Sequence, residues 1–435
     1  MVADQAIART SASSALSFGL FLVCSFVLLA RPQDVLPFLQ PWRPALVISA
    51  AAMASIVFGG GLRALLAALA IPETKRYLLF FGIMIFGIPF SYNRGTALQA
   101  VFTGYVMNVL FFIMAAVHLV STRRLVSFFW VICLATLTYG VFGGLLQGDE
   151  GGRFEVVGNA FDPNDTAYVL VSLFPLCLYF VRFNEGFLKK LVALAAVFSA
   201  IAVIAETGSR GGMLALAVVL LMLLATKSGG IKARHKVLFL VILASVGLFM
   251  QDKIDVERYS TLLHLSSDYN VTGEEGRLSV WEAAIELALD NPITGVGVEC
   301  FSFAWGITRQ IAGDPNIQWK AVHNSWLQVA VEVGLIGFGV FLIINLRSAL
   351  AFLRASRMPL QDRSREADQF KALAGLMLLG FSGLLVSGLF LSQGYSIFST
   401  LYFALAAATR RIQMGEYSAS PTEKGGELDG GVSLE

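Results

Sequence analysis

Charged side chains are scarce in this sequence. Only 14% of its 435 residues are Asp, Glu, Lys or Arg, against roughly a quarter in an ordinary soluble domain, and 56% are hydrophobic. That shortage excludes a water-soluble protein of this size. The 32 basic and 30 acidic residues leave a net charge of +2, so no global field marks a nucleic-acid binder. Cysteine is equally sparse. Of four, Cys24, Cys133 and Cys177 fall in apolar runs and Cys300 stands alone in a polar stretch, which excludes thiolate metal clusters and a disulfide-stapled fold. Nucleotide motifs are missing too: there is no G-x-x-x-x-G-K-[ST], and Gly295-Val296-Gly297 lacks the third glycine of a dinucleotide loop. No G-x-S-x-G surrounds Ser209 or Ser382. ATP, nicotinamide and serine-esterase chemistry drop out, no cofactor is expected, and metal-independent chemistry is the simpler assumption.

What is present is a series of long apolar runs. They are continuous rather than alternating over about ten residues, which excludes a porin-type barrel and predicts an all-α polytopic membrane protein. Twelve spans are expected, near 14–30, 44–58, 77–92, 97–120, 125–146, 166–182, 188–205, 211–226, 236–250, 323–346, 371–391 and 394–409. Counting Lys and Arg in alternate loops with the N-terminus inside assigns 22 to the cytoplasmic side. Ten fall outside: Arg31, Arg43, Arg94, Arg153, Arg210, Lys253, Arg258, Arg277, Arg309 and Lys320. The split predicts both termini in the cytoplasm. It divides the chain into spans one to nine (1–250), an outer loop carrying amphipathic helices (251–322), spans ten to twelve (323–410) and a disordered cytoplasmic tail (411–435).

Three outer segments gather charge and glycine beside a membrane helix. Glu206-Thr207-Gly208-Ser209-Arg210-Gly211-Gly212 is a tight turn in which Thr207 or Ser209 can cap the next helix. The positive end of that helix beside the Arg210 guanidinium suits an anion such as phosphate. The plainer reading is a glycine turn with an arginine reaching for headgroups. In 277–290, Leu278, Trp281, Ile285 and Leu289 recur at spacings of three and four, which predicts an amphipathic helix lying on the outer surface. Arg277 opens that helix, where a cation is unfavourable unless an anion joins it; pairing with Glu274 or Glu275 is the alternative. The third segment is Val322-His323-Asn324-Ser325. A histidine here can take a proton from a hydroxyl, or simply cap an interface. Glu332, nine residues on, lies on another face of the helix, and an isolated acid at that depth is a functional candidate. Just before span six, Asp162-Pro163-Asn164-Asp165 reads as a capped helix start, with Arg153 upstream as a third candidate anion contact.

Ser209-Arg210-Gly211-Gly212, Arg277-Leu278 with Trp281, Asn291-Pro292 to Gly297, then His323-Asn324 with Gly334 and Gly337, in that order, resemble the O-antigen ligase and Wzy-type polymerase superfamily. His323, Asn324, Gly334 and Gly337 meet the ligase-associated His-[Asn/Ser/Gln]-x9-Gly-x-x-Gly pattern. Val340 departs from the small or tryptophan residue expected there, which leaves ligase and polymerase both open. The resemblance implies a glycosyltransferase of the bacterial inner membrane that moves a glycan from undecaprenyl diphosphate to a glycan or lipid A-core acceptor at the periplasmic face. It implies His323 as the proton acceptor and Arg210, Arg277 and Arg153 as diphosphate contacts. Ser209, Asn324, Glu332 and Glu206 would support them. Trp305, Trp319, Trp326, Tyr259 and Tyr269 offer apolar faces for sugar or lipid. A solute or bicarbonate-type transporter is the rival from another class, but transporters gather ionisable groups at the bilayer midplane, where only Glu332 is expected.

Overall fold

The computed structural model describes residues 15–145, 162–183, 185–225, 276–311, 313, 319–358 and 364–419. Within them the chain is all helical, with no strand. The helices are α1 (Ala15–Ala30), α2 (Pro44–Phe58), α3 (Leu62–Ala70), α4 (Pro72–Gly87), α5 (Arg94–His118, with a wider turn over Ala100–Tyr105), α6 (Thr122–Leu145) and α7 (Pro163–Arg182). There follow α8 (Phe187–Glu206), α9 (Arg210–Ala225), α10 (Arg277–Asp290), α11 (Phe301–Ile311), α12 (Ser325–Arg357), α13 (Arg365–Ser387) and α14 (Ile397–Ala419). Seven helical segments are long and apolar enough to cross a membrane: Phe38–Phe58, Arg94–His118, Thr122–Val141, Pro163–Arg182, Phe187–Glu206, Ser325–Arg357 and Arg365–Phe390. Ala15–Ala30 and Arg210–Ala225 are shorter apolar helices. The protein is a multi-pass, all-helical membrane protein.

The helix starts were written in the sequence. Asp162 accepts from the Asn164 and Asp165 amides at 2.7 and 2.8 Å with Pro163 at the first helical position, so α7 begins where the acidic cap predicted. Asn324 caps α12 through the Trp326 and Leu327 amides at 3.0 and 3.2 Å. Ser209 caps α9 through the Gly212 amide at 3.2 Å. α7 forms the axis of the bundle: it is buried from Thr166 to Phe180 and packs against α6, α8, α9 and α13. α12 packs against α4, α10, α13 and α14. The site therefore sits on the ends of helices whose shafts are fixed by a continuous apolar core.

The structure refines or changes four expectations. α12 does not run straight, because Gly334 takes φ 75° and ψ 171°, a conformation essentially reserved for glycine, and splits the helix in two. The apolar stripe Leu278, Ile285 and Leu289 on α10 faces away from the bundle. These residues are exposed, and Val280, Ala284, Leu287 and Ala288 are buried instead, because small side chains let α10 approach α12 closely. Among the described members of the expected aromatic set, Trp305 is a packing residue, 5% exposed, Trp326 is half-buried and set edge-on against Phe341, and Trp319, 60% exposed, is the most open to a ligand. Finally, the last helix continues to Ala419, through the first part of the segment read as a tail. The run expected at 236–250, along with Arg153, Tyr259, Tyr269, Glu274 and Glu275, lies outside the described residues.

Candidate active site

Three short connections converge at one end of the bundle: residues 291–300 between α10 and α11, residues 319–324 before α12, and residues 391–396 between α13 and α14. The first is built around the break in α12. With Gly334 out of the helix, the carbonyls before it lose their usual donors, and a buried carbonyl without one is costly. The Val296 amide donates to Val331 O at 2.8 Å and the Gly297 amide to Glu332 O at 3.0 Å, while the Leu335 amide donates to Pro292 O at 2.8 Å. The backbones touch so closely that a Cβ on Gly295 would lie 2.5 Å from Glu332 O, and one on Gly334 would lie 2.6 Å from Ile293 O. Gly295-Val296-Gly297 is thus a docking strip for a broken helix.

His323 stands at the junction of the second connection with α12. Its backbone is left-handed, φ 51°, an uncommon state for a residue with a Cβ. Its amide donates to Ser392 Oγ at 2.8 Å. Just upstream, Val322 O accepts from Trp281 Nε1 at 3.0 Å, which ties α10 to the segment carrying the histidine. Arg277, half-buried one turn before Trp281, acts on the imidazole through its charge. The side chain opens to solvent, yet the protein around it removes enough water for desolvation to be the main influence. Desolvation first, then the Arg277 charge and more weakly Lys320, hold the imidazole below its usual value, with Asp162 opposing them. The ring is therefore biased toward the neutral form, the one that accepts a proton.

Arg210 opens α9, half-buried. Thr207 Oγ1 donates to Ile204 O at 2.7 Å and accepts from the Ser209 amide at 3.2 Å, closing the turn before it. A Cβ on Gly211 would meet Phe390 at 2.9 Å, and one on Gly212 would collide with Ala167. The glycines after Arg210 thus allow α9 to lie against α7 and the end of α13, which brings the arginine to the end of the bundle that carries Ser392 and His323. Glu206 is half-buried at the end of α8.

Glu332 is buried, 3% exposed, and its Oε1 accepts from the Phe301 amide at the start of α11 at 3.3 Å. It is not isolated. Gln328, one turn earlier, donates from Nε2 to Glu299 Oε1 at 3.5 Å, and the Glu299 and Glu332 carboxyls are close enough to repel one another. Glu299 has a left-handed backbone, φ 58°, and desolvation lifts its carboxyl above the usual range although its side chain reaches solvent. Glu299 was missed because a lone glutamate after Gly-Val-Gly-Val carries no motif.

The third connection, Leu391-Ser392-Gln393-Gly394-Tyr395-Ser396, was also missed. Ser325 Oγ donates to Leu391 O at 2.7 Å and accepts from the Gln393 amide at 3.0 Å. The Gly394 amide donates to Gln328 Oε1 at 3.1 Å, and Gln393 Nε2 donates to Asp165 Oδ1 at 2.8 Å. Asn108 Nδ2 donates to Tyr395 O at 2.7 Å. Its only sequence signal was a polar island between two apolar runs. Asn324, flagged as a supporting residue, is here the cap of α12, and Ser209 is the cap of α9.

Residues 166–342, from α7 to the second half of α12, match the protein family described as O-antigen ligase. That stretch contains Arg210, Arg277, His323, Glu332 and Gly334, but not the 391–396 connection. A search of curated proteins finds no match to the chain.

Proposed function

Since the protein is a membrane enzyme of the O-antigen ligase family, carrying that family's domain over residues 166–342, we propose that it transfers a glycan from undecaprenyl diphosphate to an acceptor hydroxyl. The transfer is inverting and metal-independent, at the outer face of the inner membrane. The acceptor oxygen attacks the anomeric carbon from the side opposite the diphosphate. The new C–O bond forms as the old one breaks, and its electron pair leaves on the lipid diphosphate. The hydroxyl proton passes to the free ring nitrogen of neutral His323. Arg210 and Arg277, with Arg153, hold the diphosphate and stabilise the charge growing on it.

The observation that carries this reading is the placement of His323: a solvent-open imidazole on a constrained backbone, kept neutral partly by the same Arg277 proposed to hold the diphosphate. A base and an anion clamp held this way separate the two charges that the reaction creates. The twelve spans and cytoplasmic termini expected from the Lys and Arg count would put this end of the bundle in the periplasm. Purified protein is given an undecaprenyl diphosphate oligosaccharide with and without a lipid A-core acceptor. A ladder from donor alone identifies a polymerase, and a single product that needs the second lipid identifies a ligase. His323→Ala, Arg210→Ala and Arg277→Ala each lower transfer by at least about a hundredfold while leaving a folded protein. Transfer by all three at the wild-type rate overturns the assignment.

A further inference from the structure

A histidine acting as a base ordinarily needs a second group to orient its ring. Among the described residues the His323 imidazole has no hydrogen-bond partner, so its direction depends on the backbone that carries it. That backbone is left-handed, a state disfavoured for any residue with a Cβ because of its clash with the neighbouring carbonyl. If it relaxed to the right-handed region, the Cα–Cβ bond would swing and the ring would leave its place beside Arg277. Something must hold it.

The chain on either side is tethered. Val322 O is fixed by Trp281, and Asn324 caps α12. Neither bond involves the His323 peptide N–H. That group is held by Ser392 Oγ, at 2.8 Å, across 69 residues of sequence. The serine is itself immobilised. Its neighbours Leu391 and Gln393 both bond to Ser325 Oγ in the first turn of α12, and Gly394 bonds to Gln328 one turn later. A Cβ on Gly394 would lie 2.7 Å from Val329 Cγ2, so the connection lies flush on α12 with no room for a side chain at that point. Ser392 is therefore referenced to the same helix that His323 precedes, and the bond between them closes a small rigid loop across two elements.

We infer that Ser392 is a positioning residue for transfer: its hydroxyl fixes the left-handed backbone of His323 and so aims the imidazole at the acceptor oxygen. The inference rests on His323 being the base. The His323–Ser392 bond lies at the exposed end of the bundle, where water can replace a lost hydroxyl. Ser392→Ala therefore removes the constraint without leaving a buried amide unsatisfied, and the folded protein survives it.

The test compares wild type, Ser392→Ala, Ser392→Thr and His323→Ala in proteoliposomes. The donor is a fluorescent undecaprenyl diphosphate oligosaccharide, and kcat, KM and thermal unfolding are measured for each. Ser392→Ala lowers kcat by about tenfold, with KM for the donor unchanged within about twofold. Ser392→Thr, which keeps the hydroxyl, restores kcat to within about twofold of wild type. The unfolding midpoint and the position of the acid limb of the pH profile stay where they are in wild type, because the serine orients the base and does not titrate it. Wild-type kcat in Ser392→Ala overturns the positioning role, as does a loss that Thr fails to restore or that appears only in KM. Should Ser392→Ala fail to fold, the Thr variant and Ser392→Cys, which offers a poorer acceptor, carry the comparison: graded kcat in the order Ser, Thr, Cys supports the inference, and equal kcat overturns it. If His323→Ala retains full transfer, the base assignment fails first, and that outcome is separate from an inert Ser392 beside an essential His323.

Discussion

At the residue scale, His323 illustrates how a few charges can set a proton affinity in a chain that has little charge to spend. A base must be neutral to accept a proton, so activity is present above the histidine's own value and is lost as pH falls through it. Desolvation and Arg277 hold that value below the ordinary one, which places the acid limb of the pH profile for kcat/KM below about 6.5, the unperturbed histidine value. Two neighbours outside the proposed machinery move it in opposite directions. Asp162 favours the imidazolium, so Asp162→Asn shifts the acid limb to lower pH; Asn still caps α7, which keeps the helix start intact. Lys320 disfavours the imidazolium, so Lys320→Gln shifts the limb to higher pH. A pH series of initial rates on the two variants checks both signs, and equal shifts in one direction contradict the assignment. The candidate residues His323, Arg210 and Arg277 were legible because each is a charged or titratable side chain next to a helix start. Ser392 and Glu299 were not, because their importance lies in contacts across 69 and 29 residues that no local spacing encodes.

At the element scale, the break in α12 is the feature that the pattern of residues concealed. Gly334 and Gly337 stand three apart in an apolar run, which reads equally well as a straight span with small residues on one face. The structure separates their roles. Gly337 stays helical and makes room for Val333 and Ile83, whereas Gly334 leaves the helix so that residues 292–297 can bond to its exposed backbone. Helix starts were readable from caps that act within three residues. A break satisfied by a strip some 35 residues upstream is a tertiary event, and the sequence shows only the glycines on both sides of it. Gly334→Ala tests the account. Alanine there would have to accept φ 75° and ψ 171° with its Cβ 2.6 Å from Ile293 O, or the helix would have to straighten and abandon the strip. Either route costs on the order of 3 kcal/mol or more. The expected outcome is a clear drop in the thermal unfolding midpoint together with lost transfer, while Gly339→Ala, which meets no atom within 4 Å, leaves both unchanged. Equal stability of the two variants would argue that the break is not needed.

At the scale of the whole molecule, the two ends of the bundle have opposite chemistry. α12 begins beside His323 and ends at Arg354 and Arg357, and the part after the break at Gly334 alone rises about 35 Å at 1.5 Å per residue, enough to cross the hydrocarbon core. The end with His323 also holds Asp162, Asp165, Glu299 and the Ser392 connection. The far end holds Arg182 paired with Asp368 at 3.1 Å, Arg365 with Glu185 at 3.6 Å, and Arg410 and Arg411 on α14. Basic residues are retained on the cytoplasmic side during insertion, so the proposal expects the end rich in arginine inside and the proposed site outside. The four cysteines are buried, so they interfere little with labelling at introduced thiols. Ala321 is exposed two residues before His323, and Glu366 is exposed at the start of α13, at the far end. In intact spheroplasts a membrane-impermeant maleimide should label Ala321→Cys, while Glu366→Cys should react only after the membrane is opened. The reverse pattern would place His323 in the cytoplasm, on the wrong side for a donor presented at the outer leaflet, and would remove the proposed reaction even if every local distance in the site were correct.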